Sequence, residues 1–148
     1  MAKPKAFLYH TKLEFADTDS AGVAHFTSIL KMVERAEHAF LEAIDIPVIK
    51  RSHGRAGAPL FGWPRVDVRF RFRRPIVFGD QVTVELTLID LGTKSIGYFA
   101  KVMLADGEVA AEGKLVNACV GSGSEDRMQA IEIPESLREI LIHHLATD

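Results

Sequence analysis

The chain has 148 residues, 47% of them hydrophobic, and sets 18 Lys and Arg against 20 Asp and Glu for a net charge of -2. That length suits one domain over residues 1–148, with no room for a second core. The balanced charge excludes a global pull toward nucleic acid or an anionic membrane surface, so any anionic ligand must be held locally.

Phe7 to Phe15 is rich in β-formers and repeats apolar residues at Tyr9, Leu13 and Phe15, which predicts a first strand. Ala16 to Gly22 is turn-rich. Phe26, Ile29, Leu30, Val33, Ala36, Phe40, Leu41 and Ile44 then follow helical spacing, and the helix should stop near Asp45 because Pro47 cannot continue it. Residues 48 to 62, with Gly54, Gly57, Pro59 and Gly62, read as a connection with a short helical turn around Val48-Ile49-Lys50. Val66, Val68, Phe70 and Phe72 alternate with Asp67, Arg69, Arg71 and Arg73, which predicts a strand with one core face and one solvated, basic face. After Pro75 and the Gly79-Asp80 turn, three runs separated by Gly92-Thr93 and Asp106-Gly107 predict an antiparallel meander, from Val82 to Leu91, Lys94 to Leu104 and Glu108 to Val120. The single cysteine, Cys119, lies in that last apolar run; it can form no internal disulfide and reads as core. The tail should hold a short segment, Ala130 to Ile133, and a helix from Pro134 to about Leu145. No apolar stretch is long enough to span a bilayer and no signal-like run follows Met1, so a soluble, cytoplasmic protein is expected.

One long amphipathic helix against a half-wet antiparallel sheet gives an α+β class. The helix is apolar over much of its circumference, so the sheet must curl around it or a second subunit must cover the remainder.

The chemistry concentrates between the first strand and the helix. Asp17 and Asp19 lie two apart, and Gly22 permits a tight turn ahead of the helix. Composition alone leaves two roles open. An Asp here can cap the helix. Alternatively, the free N–H groups of a helix start can meet a developing oxyanion while a carboxylate attacks a carbonyl or activates water.

The run Phe15-Ala-Asp17-Thr-Asp19-Ser-Ala-Gly22-Val-Ala-His25-Phe26, followed by Glu34-Arg35-Ala36, resembles the 4-hydroxybenzoyl-CoA thioesterases, including members that act on 1,4-dihydroxy-2-naphthoyl-CoA. Pro75, Gly79-Asp80, Lys94-Ser95 and Ala130-Ile-Glu-Ile-Pro134 extend the likeness over most of the chain. The resemblance implies a hotdog fold, an antiparallel sheet wrapped around one central helix. It further implies an acyl-CoA thioesterase with Asp19 as the catalytic carboxylate, the Phe26 backbone N–H as oxyanion donor, and Asp17 and Gly22 shaping the turn. His25 departs from the tyrosine that relatives carry there, and it stands as either a pocket or a packing residue. Lys94 matches a position where relatives meet the nucleotide of CoA. Gln129 stands where relatives carry a basic residue, so Arg127 is the nearby substitute. Phe61 and Trp63 flank Gly62 as candidate acyl-pocket aromatics, with core packing as the alternative. No cofactor is expected beyond the CoA of the substrate, and Asp19 with His25 makes too small a ligand set for a metal. A homodimer or homotetramer with shared active sites is implied.

Two other classes stay in view. A non-catalytic acyl-CoA or acyl-carrier-protein binding module would retain the same loop. Hotdog enoyl-thioester hydratases use an Asp and a His five apart; Asp19 and His25 are six apart without the Asn-Pro between them.

Overall fold

The computed structural model describes residues 6–51, 59–122 and 128–146. Its centre is the meander of β5 (Gln81–Leu91), β6 (Ser95–Leu104) and β7 (Val109–Ala118), in which strict alternation sends Val82, Val84, Leu86 and Leu88 and then Ile96, Tyr98, Ala100 and Val102 to one buried face. β1 (Phe7–Lys12) adds to β5 and β4 (Arg65–Phe72) adds to β7, both antiparallel, giving the order β1-β5-β6-β7-β4.

Across the buried face lies α1 (Phe26–Ala43), which presents Ile29, Met32, Val33, Ala36, Phe40 and Leu41 at helical spacing. Each larger side chain among them contributes roughly 1.5–3 kcal/mol on burial, so this stripe fixes the helix on the sheet. The helix ends in a Schellman arrangement: Ile46 N–H donates to the Leu41 carbonyl at 2.9 Å, Asp45 N–H donates to the Glu42 carbonyl at 3.2 Å, and Asp45 sits in the left-handed region at φ 60°. The termination near Asp45 is therefore as expected, with an Asp in the place that glycine usually takes.

Several elements differ from expectation. β1 stops at Lys12, and Phe15–Asp17 is a turn of 3₁₀ helix that leaves Phe15 78% exposed. The segment after α1 holds two short strands, β2 (Ile49–Arg51) and β3 (Pro59–Gly62), where a helical turn was expected; with β8 (Val120–Ser122) and β9 (Met128–Ala130) they form a second sheet, β2-β3-β8-β9. Three-residue strands carry too little periodicity to register in a sequence. The C-terminal helix, α2 (Glu135–Ile142), is shorter than predicted because Leu145 bridges to Leu88 instead.

β4 gives the largest correction. Most of its apolar side is not core: Phe70 packs against the core, but Val66 is 62% and Phe72 49% exposed, and Val68 is exposed too. The reason is position. β4 is the outermost strand of the larger sheet, and α1 lies mainly over β1, β5 and β6 and meets β4 at its ends, Glu37 to Arg65 and Phe26 to Phe72, so much of the apolar side between stays open. Of the opposite, basic side, Arg69 lies 3.6 Å from Asp67 and Arg73 donates to Glu112 at 2.8 Å, a solvated face of paired charges. Cys119 is fully buried, as core packing predicts, and desolvation pushes its thiol up to about 11. No helix among the described residues is long and apolar enough to cross a membrane.

Candidate active site

The loop from Glu14 to His25 is built from its own backbone. Asp17 Oδ2 accepts from the Glu14 N–H at 3.0 Å, and the Asp17 carbonyl accepts from the His25 N–H at 2.9 Å, so this residue ties both ends of the loop together. The chain then reverses on itself: Asp19 N–H donates to the Val23 carbonyl at 2.9 Å and Gly22 N–H to the Asp19 carbonyl at 3.0 Å. Gly22 adopts φ +79°, a region that L side chains rarely enter. A further hydrogen bond, Ala24 N–H to the Ile76 carbonyl at 2.7 Å, fastens the loop to the segment leading into β5.

Asp19 is exposed. Its Oδ1 accepts from the Ala21 N–H at 2.8 Å, and Oδ2 has no partner among the described residues. It does not cap α1. That position belongs to His25, whose Nδ1 accepts from the Thr27 N–H at 3.2 Å and lies 2.7 Å from the Thr27 hydroxyl. With two donors directed at Nδ1, the ring is assigned the tautomer protonated on Nε2. The imidazole also stacks on Phe26, ring centroids 4.7 Å apart.

The first turn of α1 leaves one amide over. Thr27 N–H goes to the His25 ring, and Ser28 and Ile29 N–H both go to the His25 carbonyl, whereas Phe26 N–H has no acceptor among the described residues. Asp19 and Phe26 line one cleft of about 410 Å³, completed by Val23, Ala24, Ile29 and the run Phe72 to Ile76. A residue with a free carboxylate oxygen and a residue with a free helix-start amide thus line one largely apolar space. An N–H at a helix N-terminus carries part of the helix dipole's positive end, which suits a developing negative charge. His25 is not among the residues that line this cleft.

The other predicted residues lie elsewhere in the chain. Phe61 and Trp63 are buried, pack edge to face at 5.4 Å, and line a separate apolar cleft of about 640 Å³ with His38, Val48, Pro64 and Met128; the Trp63 Nε1–H donates to the Pro47 carbonyl at 3.1 Å. Lys94 is exposed on the β5–β6 turn, away from the Asp19 cleft. Its carbonyl accepts from the Cys119 N–H at 2.7 Å, and the Arg138 guanidinium of α2 donates to the Gly92 and Thr93 carbonyls at 2.6 and 3.2 Å. Arg127 lies outside the described residues. Among the described residues no three His, Cys, Asp or Glu side chains gather to hold a metal ion.

Sequence reasoning missed Phe72 to Ile76 as cleft residues, because long-range contacts such as Ala24–Ile76 and Val23–Val77 bring them to Asp19. It also missed a buried polar cluster. Glu37 on α1 is 2% exposed; its Oε2 accepts from Arg65 Nη1 at 2.7 Å and its Oε1 from Asn117 Nδ2 at 2.7 Å, while Arg65 Nη1 also donates to Asn117 Oδ1 at 3.1 Å. Nearby, the fully buried Tyr98 hydroxyl has no partner among the described residues, and desolvation, reinforced by the Glu37 charge and partly opposed by Arg65, raises it well above the ordinary phenol range. A signal existed: Glu37 falls on the apolar stripe of α1, and Asn117 on the buried alternation of β7 between Leu115 and Cys119.

Known proteins share this fold. The thioesterase-like superfamily matches residues 13–141. The chain belongs to that superfamily. A 1,4-dihydroxy-2-naphthoyl-CoA hydrolase of Trichodesmium erythraeum is 28% identical over 127 residues, covering 84% of this chain and 88% of the relative. Among solved structures, a 1,4-dihydroxy-2-naphthoyl-CoA thioesterase from Synechocystis superposes with a TM-score of 0.76 at 21% identity, over 93% of this chain and 96% of that one, and establishes the hotdog fold. A gentisyl-coenzyme A thioesterase superposes with a TM-score of 0.74 at 25% identity, over 90% and 98%. The superfamily is broader than the 4-hydroxybenzoyl-CoA thioesterase group that the loop motif resembles, and the match reaches only the broader level.

Proposed function

We propose that this protein hydrolyses acyl-CoA thioesters of small aromatic acids to the free acid and CoA, with Asp19 as the reacting carboxylate. The observation that carries this reading is the shared cleft: Asp19 and Phe26, whose N–H has no acceptor among the described residues, line one space together with Phe72. The thioester carbonyl oxygen accepts from Phe26 N–H, and the negative charge of the tetrahedral intermediate develops there. Asp19 Oδ2 supplies the electron pair, either by bonding to the carbonyl carbon or by taking a proton from the water that bonds to it. Both routes use the same oxygen, and in both the C–S bond breaks to release a thiolate that needs no strong general acid. The relatives named for 1,4-dihydroxy-2-naphthoyl-CoA and gentisyl-CoA favour an aromatic acyl group, as does the finer likeness to 4-hydroxybenzoyl-CoA thioesterases.

The working unit is a homodimer, which can assemble further into a tetramer. Support comes from β4: its outer edge has no strand partner among the described residues, and Val66, Val68, Phe72 and Phe26 expose apolar surface along it. An open, apolar edge strand is a template for a second copy. Lys94, held on its clamped turn, is the cation for the CoA nucleotide.

Thiol release from a panel of aliphatic and aromatic acyl-CoAs tests the reading. Asp19→Asn should lose at least about a hundredfold in kcat. Unchanged turnover in folded Asp19→Asn protein refutes the assignment, and binding of acyl-CoA without thiol release identifies a binding module instead.

A further inference from the structure

The buried pair of Glu37 and Arg65 is more than the fold requires of it. Taking a carboxylate and a guanidinium out of water carries a large desolvation penalty, and an apolar pair of the same volume packs as well or better. Here Glu37 and Asn117 occupy Arg65 Nη1 alone, and Nε and Nη2 have no acceptor among the described residues. The Arg65 side chain is 22% exposed, so it is a cation held at one corner and still in reach of solvent.

Its placement depends on a bulge. The β4–β7 register slips between Arg65 and Asp67, so Arg65 lies opposite the buried Asn117 although simple alternation would turn it to the solvated face. Arg65 therefore points to the helix side of the sheet, the side on which Phe72 lies opposite buried Ala111.

Arg65 and Phe72 are the first and last residues of β4. When two copies pair antiparallel along the whole of this strand, the first residue of each comes opposite the last of the other. Directly opposed residues share a face with Cβ atoms about 5 Å apart. The partner subunit's Arg65 then stands beside Phe72, a wall of the Asp19 cleft. A slip that keeps opposed residues on one face moves in steps of two residues and would set the partner subunit's Arg65 beside Phe70 or Arg74 instead.

We propose that Arg65 is a specificity-determining residue acting in trans, its free N–H groups donating to a ring hydroxyl of the aromatic acyl group held at the partner's Asp19. This rests on the thioesterase reading and on the β4-paired dimer. Glu37 cancels the charge of Arg65 while fixing its plane, which suits a hydroxyl oxygen as acceptor.

The measurement is the ratio of kcat/KM for 2-, 3- and 4-hydroxybenzoyl-CoA to that for benzoyl-CoA. The wild type should prefer at least one hydroxylated ester. The double variant Glu37→Gln/Arg65→Met strands no buried charge and should reduce that preference about tenfold or more, the worth of a charge-assisted hydrogen bond. Arg65→Lys, which keeps a cation against Glu37 but loses the planar fork, should also reduce it. Mixed dimers of Asp19→Asn subunits with Glu37→Gln/Arg65→Met subunits decide the trans geometry. The one competent Asp19 then meets an intact Arg65 from the other chain, and the hydroxyl preference should return. Preference unchanged in both variants, or not restored in mixed dimers, overturns the inference. Failure of the wild type to hydrolyse any ester sinks the thioesterase reading first, and this one with it.

Discussion

Gly113 sits in β7 where β4 crosses it most closely, and Gly113→Ala tests whether that approach is real. A Cβ built there would stand 2.6 Å from Phe70 Cδ2 and 2.7 Å from Phe70 Cα, and closer still to the Arg69 carbonyl oxygen. Two of the three neighbours are backbone atoms, which no rotamer change can clear. β4 would have to retreat by roughly 1 Å or more, and overpacking of that kind costs about 1–3 kcal/mol. The retreat would also stretch ladder hydrogen bonds around Arg69 and Phe70, at about 1 kcal/mol each. The expected loss is about 3–5 kcal/mol, a large share of the stability of a domain this size. Urea unfolding followed by fluorescence and circular dichroism measures it. Because β4 carries Phe72 into the cleft, kcat/KM should fall as well, even where the variant remains folded. A loss below about 1 kcal/mol would mean that β4 is not seated over Gly113 in this way.

Tyr98→Phe should leave stability unchanged or raise it by about 1 kcal/mol, because it removes a buried hydroxyl that has no partner among the described residues; a loss of more than about 1 kcal/mol in urea unfolding would mean the hydroxyl is hydrogen-bonded. Cys119 holds its proton in the folded chain up to about 11 but gives it up near its ordinary 9.0 when unfolded. The folded state therefore binds the extra proton between those values, and stability falls as pH rises from about 9 to about 11. Unfolding midpoints across that range should decline more steeply for the wild type than for Cys119→Ala, and parallel declines would contradict a buried thiol.

What was legible in the sequence was whatever repeats. The stripe from Ile29 to Leu41 and the alternations of β5, β6 and β7 each extend over enough residues for one face to declare itself. Val66 to Phe72 alternates just as clearly, yet alternation says only that two faces differ, and it took the position of β4 at the sheet edge to leave the apolar one open. The loop from Asp17 to Gly22 was found from its residue types, and Asp17 holds the turn as its type suggests, but the helix cap was not found. Capping was one of the two roles left open for an Asp here, and His25 performs it instead, an imidazole being an uncommon choice. The cleft needs Phe72 to Ile76, far along the chain from Asp19, and no local pattern encodes that meeting.

The Asp19 loop is fastened at both ends to one distant turn. Leu13 N–H donates to the Asp80 carbonyl, Gly79 N–H donates to the Leu13 carbonyl, and Ala24 N–H donates to Ile76. Contacts that close such long stretches of chain form late, because loop entropy opposes them until a template exists. The β5–β6–β7 meander is local and can collapse first; β1 and the loop behind it can only dock onto a finished edge. In kinetic terms the reactive carboxylate is among the last parts to be assembled. Refolding followed by recovery of activity should therefore lag behind recovery of sheet signal, and no partly folded chain would expose an active but unsheltered Asp19.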